Sequence, residues 1–193
     1  LKSPVITSSE DAIKFINETN LRYQAKRIIS LDVSGMFSNM LHSTILNDIE
    51  WLCDRMLAGN NTHITIENGY TKYVTRNYTG KKWGKNEIMN ALKIFLTNFY
   101  TEYCGFTFRT ARGYAMGSAS APAATSASLS VQEFKYFHQP TYTLEIGYRR
   151  YCDDIFFCGE EDIEFISKLI YSNEIVLERD SNETGLEVNF LDL

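Results

Sequence analysis

No stretch of this chain is long and apolar enough to cross a bilayer as a helix. Its first residues also lack the basic, apolar and small-residue succession of a secretory signal. Neither a membrane partner nor a secretory route is expected. Cysteine is sparse. Cys53, Cys104, Cys152 and Cys158 include no Cys-x-x-Cys pair, so buried thiols in a reducing, intracellular setting (nucleus or cytoplasm) are expected over a zinc site. Asn60-Asn61-Thr62 and Asn77-Tyr78-Thr79 match glycosylation tripeptides, but without a secretory signal they carry no expectation of a glycan. Excess positive charge is missing too: a net charge of −5 withholds the general basic footprint of a free-standing nucleic-acid binder. The glycine-containing loop at 80–85 lacks the Gly-Lys-Ser/Thr order of a phosphate-binding Walker loop. Internal repeats and low-complexity linkers are absent, so 193 residues read as one domain or a large piece of one.

What is present is material for a sizeable core, with 44% hydrophobic and 13% aromatic residues. Ser8-Ser9-Glu10-Asp11 predicts an N-cap with acidic first-turn residues, and Ala12, Ile13, Phe15 and Ile16 supply the apolar face of a short helix. A buried strand is predicted over 27–33. Ile45, Leu46, Ile49, Leu52, Cys53 and Met56 recur at helical spacing within 42–57. Alternation at 62–66 and 70–74 around Asn68-Gly69 predicts a hairpin. Ile88, Leu92, Phe95, Leu96 and Phe99 predict an amphipathic helix over 87–103, and Phe106 and Phe108 a short strand after it. Small residues dominate the first half of a helix predicted over 118–137. A helix at 161–171, then strands near 174–178 and 186–191 with a turn through 182–185, close the pattern. This order suits an α+β fold: a sheet with helices packed on one face.

Positive charge is clustered locally at Lys26-Arg27, Lys72 with Arg76, Lys81-Lys82-Lys85, Arg109 with Arg112, and Arg149-Arg150. Solvated surface is one reading of these groups; a groove that follows phosphates is the other.

The most informative feature is Tyr151-Cys152-Asp153-Asp154, two adjacent carboxylates between apolar and aromatic runs. Like charges a few Å apart raise each other's pKa unless a cation lies between them. Asp32 ends another apolar run, Ile28-Ile29-Ser30-Leu31. If the fold brings Asp32 beside the hairpin, the chain holds the carboxylate cage that two-metal phosphoryl transfer requires, with the carbonyl of Val33 as a further oxygen ligand. Phe37 follows at a short fixed offset, suited to press on a nucleotide sugar. In the loop at 113–118, glycine removes the side-chain barrier to a close backbone approach. Each feature has an ordinary alternative: Asp32 as a turn residue with Phe37 in the core, 113–118 as tight helix packing, Arg112 as a surface charge, and Asp153-Asp154 as an exposed hairpin tip.

The ordered set is more specific than any member. Asp32-Val33 with Phe37, then Gly113-Tyr114-Ala115-Met116-Gly117-Ser118, then Tyr151-Cys152-Asp153-Asp154, then Gly185-Leu186 with Phe190-Leu191-Asp192, resembles the motif series of reverse transcriptases. The wording is most similar to the Penelope-like retroelement group, with the telomerase catalytic subunit a more distant relation. The resemblance runs from about Ser8 to the end. It implies a polymerase palm with part of the fingers over 1–193, an antiparallel sheet, and N-terminal fingers and thumb lying outside this stretch. The implied activity is RNA-directed DNA synthesis, transferring dNTPs to a primer 3′-hydroxyl on an RNA or DNA template. The implied cofactor is a pair of Mg²⁺ ions, with Mn²⁺ as a substitute, held by Asp32, Val33, Asp153 and Asp154. The resemblance makes Phe37 a sugar gate. It assigns Arg112, Gly113, Ala115, Met116 and Gly117 to the nucleotide, and Ser118, Arg149 and Tyr151 to nucleic acid. A non-catalytic nucleic-acid-binding or assembly module and an RNA-dependent RNA polymerase are the alternative readings. Arg112 stands where the family usually has Gln, and Ala119 where it usually has Pro. The lysine that family members use as a general acid has no clear counterpart, Lys168 and Arg179 being weak ones.

Overall fold

The computed structural model describes residues 4–23, 28–114, 118–139, 147–158 and 162–179. In chain order the elements are α1 (Ser9–Tyr23), β1 (Ile28–Ser34), α2 (Met36–Asn39), α3 (His42–Met56), β2 (His63–Glu67), β3 (Tyr70–Val74), α4 (Lys85–Thr97), β4 (Tyr100–Tyr103), β5 (Phe106–Arg109), α5 (Ala121–Phe137), β6 (Gly147–Tyr151), β7 (Asp154–Cys158), α6 (Ile163–Ile170) and β8 (Val176–Arg179). The fold is the expected mixture of antiparallel sheet and helices. The strand expected at 186–191, its preceding turn, and Lys26, Arg27 and Asp192 lie outside the described residues.

The chain divides into two compact units, one of Leu1–Asn39 with Gln132–Leu193 and one of Met40–Val131. The first holds a four-stranded sheet in the order β6-β7-β1-β8, antiparallel throughout. β1 is an interior strand, and its apolar run is explained by that position. Ile29, Leu31 and Val33 are all buried, and full burial of such side chains stabilises by roughly 1.5–3 kcal/mol each. The register places Ile155 and Phe157 of β7, and Tyr148 and Arg150 of β6, on the same sheet face as Leu31. Glu133, near the end of α5, reaches Tyr148 and Arg150 on that face.

The other face carries Phe156 and Cys158, and α1 covers them with Ala12 and Phe15. The Phe15 and Phe156 rings meet edge to face at 5.8 Å. Ser8 starts α1 as expected, its Oγ accepting the Asp11 N–H at 3.2 Å. Gly147 lets α1 lie close, since a Cβ there would stand 2.9 Å from Thr19 Cγ2 and 3.0 Å from the Cys158 carbonyl. Pro4 and Ile6 line the outer edge of β6. The Arg150 N–H donates to Pro4 O at 3.0 Å and the Ile6 N–H donates to Arg150 O at 2.9 Å, so that edge is not left open.

In the second unit α3 and α4 are tied by Lys85, whose Nζ lies 2.6 Å from Asp54 and 3.0 Å from Glu50. Buried Asp48 accepts from Ser128 Oγ at 2.7 Å. The β2–β3 hairpin turns at Asn68-Gly69, both with positive φ (53° and 80°), as the dipeptide predicts. The helix expected over 87–103 stops at Thr97, with Asn98 as its C-cap. Tyr100–Tyr103 instead pairs with Phe106–Arg109 as a second hairpin around Cys104-Gly105, whose φ angles are 52° and 78°. Continued aromatic spacing imitated a longer helix. α4 buries Met89, Leu92 and Leu96, while Phe95 is exposed.

Candidate active site

The β1–β7 register brings the sequence-predicted carboxylates together. Asp32 and Asp154 are direct cross-strand partners. The Val33 N–H donates to Asp153 O at 2.9 Å, which makes Val33 and Asp153 the hydrogen-bonded pair. Asp32 and Asp154 are therefore the adjoining non-hydrogen-bonded pair, the closer kind, in which like charges directly opposite are destabilising. On its other side Asp32 pairs with Glu178 of β8, so three acidic positions run in a row across the sheet. Glu178 was not singled out from the sequence. A helix-or-strand reading of 174–178 carries no register, and register is the only signal that would have found it. Asp32, Asp153 and Asp154 are all half-buried, whereas Glu178 is exposed.

The β6–β7 turn has two central residues, Cys152 and Asp153, since Tyr151 pairs with Asp154. Cys152 has φ +50°, a left-handed conformation usually given to glycine. Arg150 Nη1 donates to the Cys152 carbonyl at 2.7 Å, holding the peptide that leads into Asp153. The guanidinium is fully buried, as is its partner Glu133, with Nε donating to Oε1 at 2.5 Å and Nη2 to Oε2 at 3.3 Å. Tyr148 and Tyr171 also donate to Glu133 Oε1, at 2.9 and 2.6 Å, and their two hydroxyls touch. Burial, then the Glu133 charge, pushes both tyrosines well above the ordinary value of 10. For Arg150, burial is the largest single influence and acts downward, but the charge and hydrogen bonds of Glu133, together with the two tyrosines, outweigh it and the net shift is upward. Reading Arg149-Arg150 as one surface cluster missed this; strand alternation beside buried Ile155 and Phe157 was the available signal.

Val33 is buried, and Gly35 (φ +60°) turns the chain into α2. Met36 is buried there and Phe37 is half-buried. Arg149 lies over the Phe15 ring at 4.1 Å and donates to Tyr148 O at 2.6 Å; Tyr151 packs partly against the α1 cluster. Lys168 and Arg179 line a cavity of about 390 Å³ with Leu31 and Tyr171. Leu31 and Arg179 are register partners one step from Asp32, hence on the opposite sheet face from Asp32, Asp154 and Glu178.

Arg112, Gly113 and Ser118 belong to the second unit. Gly113 is buried with φ +70°; its N–H donates to Met40 O at 2.8 Å and its carbonyl lies 2.7 Å from His42 Nε2. Arg112 is exposed, and Ser118 Oγ lies 3.1 Å from Ser120 Oγ. Ala115, Met116 and Gly117 lie outside the described residues. Most of the local basic groups are engaged within the chain. Lys72 pairs with Glu67 and Lys85 with Asp54 and Glu50. Lys82 donates to the Arg76 and Tyr78 carbonyls, Lys81 lies over Trp83, and Arg109 donates to Thr97 O. The expectation of buried thiols holds for Cys53 and Cys158 but not for Cys104 and Cys152, which stand exposed at hairpin tips.

The donor set fits a hard divalent cation: oxygen only, charged, and gathered at one end of a sheet. Among the described residues, no three His, Cys, Asp or Glu side chains are already drawn together as a ligand group. The β1–β7 register aligns the backbone positions of these carboxylates.

No protein-family model matches the chain, and no curated protein matches it by sequence. Solved structures do match in fold. Telomerase from Candida albicans, in complex with a TWJ fragment of telomeric RNA, aligns at TM-score 0.64 and 12% identity, over 98% of this chain and 32% of that one. Apo telomerase from Candida tropicalis aligns at TM-score 0.60 and 14% identity, over 94% of this chain and 33% of that one. The same telomerase truncated from its C-terminal domain aligns at TM-score 0.58 and 13% identity, over 95% and 37%. The chain thus spans about a third of the length of these telomerases, and shares the fold of that part of them.

Proposed function

We propose that this chain is the palm and part of the fingers of an RNA-directed DNA polymerase of the Penelope-like kind. The observation that carries the reading is the β1–β7 register, with Asp32 opposite Asp154 and Asp153 in the adjoining turn. Asp32 and Asp153 would hold two Mg²⁺ ions, with Asp154 supporting them and the Val33 carbonyl adding an oxygen. When bound, such ions lower the pKa of a primer 3′-hydroxyl and neutralise charge on the triphosphate and leaving pyrophosphate. The chain's own part is orientation. The interior strand fixes Asp32, the two-residue turn fixes Asp153, and Phe37, two residues beyond the Gly35 turn, excludes a 2′-hydroxyl. By the resemblance, Arg112, Gly113, Ala115, Met116 and Gly117 would contact the nucleotide. Template and primer would be RNA or DNA strands, and the monomers dNTPs.

The test is primer extension on poly(rA)/oligo(dT), comparing deoxy- and ribonucleotides. The expected result is incorporation of the deoxynucleotide, falling at least about a hundredfold in Asp153→Asn, since removing one charge-stabilising group typically costs several kcal/mol at the transition state. Full activity in Asp153→Asn would refute the metal assignment. Equal use of both nucleotides would favour an RNA polymerase. A second reading, a non-catalytic nucleic-acid-binding or assembly module, draws on Arg112, which is exposed and stands where the family usually has Gln. Strand binding without incorporation, unaltered by Asp153→Asn, would favour it.

A further inference from the structure

We infer that the buried Glu133–Arg150 pair is a positioning device for the metal-binding turn, an inference that rests on the polymerase reading and extends it. Four observations carry it. Cys152 holds a backbone conformation that non-glycine residues seldom adopt, and such strain persists only where surrounding structure over-determines it. Arg150 Nη1 donates to the Cys152 carbonyl at 2.7 Å, on the peptide that aims Asp153. Arg150 cannot shift: Pro4 and Ile6 clamp its main chain, and Glu133 takes its guanidinium in a two-pronged contact. Glu133 in turn is fixed by the Tyr148 and Tyr171 hydroxyls, so the end of α5 and the segment after α6 both bear on the turn.

A buried ion pair is weak evidence for stability, because well-packed apolar residues of similar volume often serve as well. An apolar pair, however, could not donate to the Cys152 carbonyl. Arg150 is thus a positioning residue acting through the turn, with Glu133 and the tyrosines holding its fork in plane.

The test uses three variants of this chain: Glu133→Leu with Arg150→Met together, Arg150→Lys alone, and Asp153→Asn as reference. Melting temperature reports the fold. Mn²⁺ affinity, read from the electron paramagnetic resonance of free Mn²⁺, reports the site. The Asp153 amide resonance of the metal-free protein reports the turn. The expected result for the double variant is a melting temperature close to wild type, Mn²⁺ affinity weakened at least tenfold, and a displaced Asp153 resonance. A folded double variant with wild-type affinity and an unmoved resonance would overturn the inference. Should the double variant fail to fold, Arg150→Lys decides: it keeps the charge but cannot serve both Glu133 and the turn, and unchanged affinity and resonance would overturn the inference. Equal Mn²⁺ binding by wild type and Asp153→Asn would instead remove the polymerase reading and this inference with it, so the two failures are distinguishable.

Discussion

Neutralising Asp32 should stabilise the metal-free protein and weaken its response to metal. Asp32 faces Asp154 in the close, non-hydrogen-bonded kind of cross-strand pair and neighbours Glu178 on its other side. Such pairs have Cβ atoms about 4.5–5.5 Å apart. At about 5 Å two unit charges repel by about 0.8 kcal/mol in bulk water and about 3 kcal/mol at an effective dielectric constant of 20. Both carboxylates are half-buried, and like-charged sheet pairs cost about 0.2–1 kcal/mol in practice, so about 1 kcal/mol is expected. Asp32→Asn should therefore raise the midpoint by roughly 2–4 °C for a chain of this size. Mg²⁺ should close that gap. At ten times its dissociation constant it would add about 1.4 kcal/mol to wild type, and less to a variant lacking one ligand. The assay is thermal unfolding by circular dichroism, with EDTA and across a Mg²⁺ series. A variant less stable than wild type in EDTA, with both proteins gaining equally from Mg²⁺, would refute the reasoning. It would mean that contacts within the protein, not a cation, balance these carboxylates.

Two further outcomes follow from the same geometry. Phe37→Ala should raise ribonucleotide use relative to deoxyribonucleotide in primer extension, and an unchanged ratio would remove the gate. Tyr148 and Tyr171 keep their protons in the fold above the pH at which the unfolded chain loses them. The native state then binds more protons than the unfolded one, so stability is full below pH 10 and falls as pH rises beyond it, by up to about 1.4 kcal/mol per pH unit for each tyrosine. Urea unfolding from pH 9 to 11 should show this decline. Tyr171→Phe should flatten it, and an identical decline in that variant would contradict the assignment.

The elements that the sequence disclosed best were those with local signals. Asn68-Gly69 marked its hairpin, Ser8 its helix start, and the apolar run before Asp32 an interior strand. The hairpin around Tyr151-Cys152-Asp153-Asp154 was likewise visible, because two apolar runs enclose it, but its turn centres on Cys152-Asp153 and not on the Asp153-Asp154 tip that was expected. What local pattern could not convey was register. That Asp32 faces Asp154 depends on pairing between remote segments; the ordered motifs and their resemblance implied a shared site for the carboxylates but not this register. The β4 strand was hidden because Phe99, Tyr100 and Tyr103 prolong a helical spacing, although Asn98 and the Cys104-Gly105 turn end it. The buried quartet around Glu133 was hidden for another reason: charged side chains are rarely buried unless paired, and neither Glu133 nor Arg150 announces its partner along the chain. The basic clusters misled in the opposite sense, since most find carbonyls, carboxylates or rings within the chain.

The most direct measurement is paramagnetic broadening of the side-chain carboxyl ¹³C resonances of Asp32, Asp153 and Asp154 by substoichiometric Mn²⁺. The account predicts that all three broaden in step at the same metal concentration, because one shared site serves residues from β1 and from the β6–β7 turn. Broadening of Asp153 and Asp154 with Asp32 left sharp would contradict it.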